Sequence, residues 1–129
     1  MGISCVNIGL GTAQFGGAYG VSNFGHTVSD KDLGTMLSLA RCHGIRTIDT
    51  AAAYGDSEQR LGEHGLEDFD IVTKVVVSMR EQLDNLETQI QRTLSDLKIE
   101  HLDAVLVHNA EAIPFSALVE ALGKLDRMI

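Results

Sequence analysis

The chain has 129 residues, 44% of them hydrophobic, and carries 10 Lys and Arg against 18 Asp and Glu for a formal net charge of −8. That hydrophobic share supports one packed domain spanning residues 1–129 and excludes an extended disordered chain. The acidic balance, with no basic block anywhere, excludes nucleic acid as a partner, because phosphate-backbone binding depends on clustered Lys and Arg.

In chain order, Met1 to Val6 lacks the basic segment and apolar core of a signal peptide, and the Ser or Thr of a myristoylation motif, so the expected location is cytoplasmic. Val6 to Leu10 reads as a first strand. Ser29 and Asp32 ahead of Leu33, Met36, Leu37 and Ala40 predict a helix, with Gly44 where a left-handed C-terminal cap would sit. Ile45 to Ile48 reads as the second strand, Ser57 to Leu66 as a helical stretch and Asp70 to Val77 as the third strand. Apolar runs such as Ile71 to Val77 fall far short of the roughly 18 to 20 residues that span a bilayer, so no membrane partner is expected. Ser78 to Lys98 places Leu83, Leu86, Ile90, Leu94 and Leu97 on one helical face, with Ser78 and Glu81 as a capping box. Leu102 to Val107 reads as the fourth strand. Phe115 to Met128 closes the series as a helix, with Pro114 at its first position and Leu118, Leu122 and Leu125 spaced for packing.

Strand and helix alternating through short connections imply an α/β fold with parallel pairing through right-handed crossovers. Two architectures meet that description, the doubly wound sheet and the (β/α)8 barrel, and the alternation alone does not choose between them. A complete barrel needs eight units in about 250 residues, so four units would be about half of one. The two cysteines, Cys5 and Cys42, stand far apart without a Cys-x-x-Cys spacing and read as unpaired thiols, and no metal site is expected.

The stretch from Asp49 to Gly62, DTAAAYGDSEQRLG, puts Asp49 at the C-terminal end of the second strand and Tyr54 in the loop that follows. Lys74 falls near the end of the third strand and His108 just after the fourth. In a barrel these four ionisable groups converge on the rim where active sites form. Taken singly, an Asp at a strand end often caps the next helix, and a lone Tyr or His commonly satisfies a core hydrogen bond. A Lys at an apolar strand end is harder to explain so simply, because its ammonium requires a carboxylate partner, and Asp49 is the natural one.

In order along the chain, GLGTAQFG at Gly9 to Gly16, IDTAAAYGDSE at Ile48 to Glu58, IVTK at Ile71 to Lys74 and LVHN at Leu106 to Asn109 resemble the motifs of the aldo/keto reductase family. The resemblance covers nearly the whole chain. It implies a partial (β/α)8 TIM barrel, the first four βα units, and reduction of a carbonyl substrate by hydride from NADPH. It also implies a catalytic tetrad of Asp49, Tyr54, Lys74 and His108, with Tyr54 as proton donor. A free phenol is a poor acid at neutral pH, and the Lys74 ammonium would stabilise its anion while Asp49 keeps that ammonium charged and oriented. His108 would position the carbonyl oxygen. The same resemblance places Gly11, Thr12 and Asp49 at the cofactor, and Tyr19, Tyr54, His108 and Asn109 at the substrate, with the loop Gly16 to Gly25 and its Phe24 beside the pocket.

A dinucleotide fingerprint is the competing reading of Gly9 and Gly11, but its sixth position is Gln14 and no periodic helix follows directly. His26, His43, His64 and His101 fall in loops or at helix ends and are given no role. The family's grip on the pyrophosphate and 2′-phosphate comes from later strands, which these 129 residues do not include. Besides an active enzyme segment, two other readings follow: a catalytically silent binding or regulatory subunit, against which the intact tetrad speaks, and a fragment without independent function. A half barrel would expose edge strands and an apolar inner surface, and so is expected to self-associate.

Overall fold

A computed structural model of the protein describes residues 8–17, 27–77, 83–108 and 110–125. The expectations for Cys5, Tyr19, Phe24, His26, the Ser78 and Glu81 capping box, Asn109 and the helix beyond residue 125 fall outside these residues. Four strands, β1 (Gly9–Gly11), β2 (Thr47–Asp49), β3 (Asp70–Val76) and β4 (Ala104–His108), lie in the order β1-β2-β3-β4 with every neighbouring pair parallel. Helices α1 (Asp30–Cys42), α2 (Ser57–Gly62), α3 (Leu86–Leu97) and α4 (Phe115–Gly123) alternate with them. A doubly wound sheet reverses its strand order at a switch point, whereas a barrel adds each new strand on the same side of the last. The unreversed order makes this chain the first four βα units of a (β/α)8 barrel.

Because side chains alternate along a strand, the register sorts them onto two faces. Ile48, Ile71, Thr73 and Val75 turn toward the helices and are buried. Leu33, Leu37 and Ala40 of α1, Leu61 of α2, Leu86, Ile90 and Leu97 of α3 and Leu118 of α4 close over them as one core. The other face carries Asp49 beside Val72, Lys74 beside Leu106, and Val76 beside His108. This inner face is open at β4, where Leu106 is 47% exposed.

Element boundaries shift where local bonding claims a residue. Ser29 caps α1 as expected, its hydroxyl accepting from the Asp32 N–H at 3.1 Å, and Gly44 takes a left-handed φ of 71°. Met36, by contrast, lies outside the packed stripe and is exposed. Ile45 closes α1 by donating its N–H to Ala40 O at 2.9 Å, so β2 starts two residues later than its apolar run. Helix α2 stops at Gly62, short of Leu66, and Gly65 follows in a left-handed turn at φ 63°. Within the stretch expected as one helix, Leu83 is helical, Asp84 and Asn85 form a turn, and α3 runs from Leu86 with Asn85 as its N-cap. Pro114 stands at the N-cap of α4 with an extended ψ of 131°, not at the first helical position. Its carbonyl accepts the first helical bonds, from Ala117 at 3.0 Å and Leu118 at 3.2 Å. A short 3-10 turn over Ala110–Ala112, which the apolar pattern did not suggest, links β4 to α4.

Candidate active site

The loop after β2 is held by its own backbone. Thr50 donates to Val72 O at 2.9 Å and Ala52 to Lys74 O at 3.2 Å, extending the ladder just past the strand. Tyr54 then donates to Ala51 O at 2.9 Å, and Ser57 donates back to Tyr54 O at 3.1 Å, a turn that ties the Tyr54 carbonyl to the first residue of α2. A glycine contact fixes this loop against the one after β1. A Cβ on Gly16 would overlap the Tyr54 carbonyl, and one on Gly55 would overlap the Gly16 carbonyl. Two backbones thus meet with no side chain between them.

On this frame the sequence-nominated residues meet. The Lys74 ammonium donates to Asp49 Oδ1 at 2.6 Å and to Thr50 O at 3.1 Å. Lys74 is the more enclosed partner, its side chain 17% exposed against 43% for Asp49. Lys74 Nζ also lies 5.3 Å from the centre of the Tyr54 ring. The His108 ring meets Tyr54 edge-on, with centroids 6.2 Å apart and an interplanar angle of 79°. Asp49, Tyr54, Lys74 and His108 therefore gather at the C-terminal ends of β2, β3 and β4. A cation here favours any negative charge that develops on the phenol oxygen, and the carboxylate holds the cation in place. Beside Tyr54 and His108 opens a cavity of about 370 Å³, otherwise lined by Ala13, Gly16, Gly17, Ala53 and Gly55.

The two cofactor candidates at the end of β1, Gly11 and Thr12, differ in kind. Gly11 pairs with Asp49, and a Cβ there would meet nothing within 4 Å among the described residues. Thr12 is fully buried. Its hydroxyl and N–H both donate to Asp49 O, at 3.2 and 3.1 Å, so its side chain braces β2. A larger cavity of about 710 Å³ lies at the opposite ends of the strands, among Arg46, Phe69, Asp70, Lys98 and Asp103. It contains none of the gathered residues and sits at the end of the barrel that serves stability.

Sequence reasoning missed the layer behind the site. Ser57 is fully buried and donates its hydroxyl to Thr12 O at 3.1 Å. Glu58, 5% exposed, accepts from Thr73 of β3 at 2.6 Å and from Thr93 of α3 at 2.9 Å. Loss of hydration holds its carboxyl above the usual 4.5, against the opposing pull of the two hydroxyl donors. Arg60 ion-pairs with Asp30 at 2.6 Å, donates to Val28 O at 2.6 Å and also reaches Phe15 O, tying α2 to the start of α1 and the β1 loop. The available signal was helical spacing, since Glu58 lies one turn before the core residue Leu61.

Comparison with known proteins bears on the family and the fold. The model of the aldo/keto reductase family matches residues 7–127. Two solved structures, both assigned as aldo-keto reductases of Pseudomonas aeruginosa, superpose with TM-scores of 0.77 and 0.75 at 32% and 29% identity. They cover 94% and 95% of this chain, and the chain covers 51% of each. D-arabinose 1-dehydrogenase of Saccharomyces cerevisiae is 30% identical over 102 residues, which are 70% of this chain and 30% of that enzyme. The chain thus spans about half of the solved structures and less of the yeast enzyme. With the family's model matched across nearly its whole length, the chain belongs to the aldo/keto reductase family, an oxidoreductase family on a (β/α)8 barrel.

Proposed function

We propose that residues 1–129 are the N-terminal part of an NADPH-dependent reductase domain and carry its catalytic tetrad, acting on an aldehyde or ketone. The observation that supports this reading is the Lys74 ammonium, 2.6 Å from the Asp49 carboxylate and 5.3 Å from the centre of the Tyr54 ring. When bound, the nicotinamide supplies a hydride to the carbonyl carbon. Tyr54 delivers a proton to the carbonyl oxygen as charge builds there. Lys74 stabilises the phenolate left behind, and Asp49 holds the Lys74 ammonium in position. His108 donates a hydrogen bond that orients the carbonyl oxygen. By the family resemblance Gly11 and Thr12 would lie beneath the nicotinamide, and Tyr19 and Asn109 would join Tyr54 and His108 at the substrate, while Thr12 braces the backbone of β2.

The test is Tyr54→Phe, made in a protein that joins this segment to the rest of a complete barrel. Carbonyl reduction should fall by about 10²–10⁴-fold, the usual worth of a positioned acid. Cofactor affinity should stay within about twofold, since a hydroxyl that acts on the reacting oxygen adds little to ground-state binding. Unaltered turnover would overturn the assignment.

A further inference from the structure

Glu58 is a carboxylate in a place where packing alone would favour an apolar side chain. It sits in the first turn of α2, and both its oxygens are spent inside the protein, one on Thr73 at 2.6 Å and one on Thr93 at 2.9 Å. Taking a carboxylate out of water is costly, and two hydroxyl donors only partly offset the loss. What the carboxylate provides and a leucine would not is direction, because two hydrogen bonds define one position of α2 along β3.

That position bears on the site through very short links. On one side, the Tyr54 carbonyl accepts from Ser57 at 3.1 Å, so Tyr54 moves with the start of α2. On the other, Thr73 precedes Lys74 on β3 and points to the opposite face of the sheet. Phenol, helix, carboxylate, strand and ammonium form one connected path. We propose that Glu58 is a positioning residue, which by clamping α2 to β3 holds the Tyr54 ring against the Lys74 ammonium. The proposal rests on the assignment of Tyr54 and Lys74 as the working pair. Thr73 carries the clamp to the site, whereas Thr93 ties the same carboxylate to α3, away from it.

The sequence makes a direct readout possible. The chain has two tyrosines and no tryptophan, so in a Tyr19→Phe background the alkaline rise of phenolate absorbance reports Tyr54 alone. In that background Glu58→Gln, Thr73→Val, Thr93→Val and Lys74→Met are compared, each also by thermal melting. Losing the clamp should move the absorbance rise to higher pH by about half a pH unit in Glu58→Gln and Thr73→Val, part of what a close cation is worth to a phenolate. Thr93→Val should lower the melting temperature like Thr73→Val but leave the rise in place. If Glu58→Gln does not fold, Thr73→Val and Thr93→Val decide alone. Movement in Lys74→Met with none in Thr73→Val, or equal movement in Thr73→Val and Thr93→Val, overturns the positioning role and leaves the Tyr54 and Lys74 assignment standing. No movement in Lys74→Met overturns that assignment and the positioning role with it.

Discussion

An ammonium held mostly out of water needs a counter-charge within reach, and Lys74 has one in Asp49 at 2.6 Å. This need made the pair legible from composition and spacing, because a lysine near the end of an otherwise apolar strand raises the question of its partner. Glu58 was not legible in the same way. Its partners, Thr73 and Thr93, are ordinary residues 15 and 35 positions away, and only packing brings them to one carboxylate. Burial raises the Glu58 carboxyl above 4.5, and Asp96 adds to the rise while the two threonines and Arg92 oppose it. The folded state therefore binds this proton more tightly than the unfolded state. Its contribution to stability is complete below pH 4.5 and is lost as pH rises through the higher folded value. Melting temperatures measured across that window should fall with pH more steeply in the parent than in Glu58→Gln. Parallel curves would show that Glu58 titrates alike in both states.

At the scale of elements, α2 is short but closely set. It presents Ser57, Glu58, Leu61 and Gly62 to the interior, and a Cβ on Gly62 would overlap the Asp96 carbonyl of α3. Gly62→Ala must therefore push α2 and α3 apart, at a cost of about 1–3 kcal/mol by the usual scale of overpacking. That loss should lower the melting temperature by several degrees, and a variant melting with the parent would contradict the backbone contact. The apolar spacing marked α1 and the buried face of α3, where Leu86, Ile90 and Leu97 pack as their period requires. Boundaries were less legible, because they depend on single bonds such as Ile45 N to Ala40 O at 2.9 Å and on the carbonyl of Pro114. No periodicity carries that information.

For the molecule as a whole, four parallel strands in unreversed order leave two outer edges, β1 and β4, with no strand partner among the described residues. Leu106 on the inner face stays 47% exposed, and the described residues lining the cavity beside Tyr54 include no Lys or Arg to meet a phosphate. The isolated 129-residue chain should consequently bind NADPH only weakly and reduce no aldehyde. Nucleotide fluorescence measures this directly, and a micromolar dissociation constant would contradict it. Periodicity and motif chemistry are local properties of the chain, which is why the alternation of strands and helices, the family motifs and the four clustered residues were legible in it. The alternation left barrel and doubly wound sheet open and the family motifs pointed to the barrel; the strand order, a relation among distant segments, agrees with them. Tertiary structure alone brought Gly16 against Gly55 and Glu58 between Thr73 and Thr93, because such contacts depend on how whole elements pack and not on which residues adjoin in the chain.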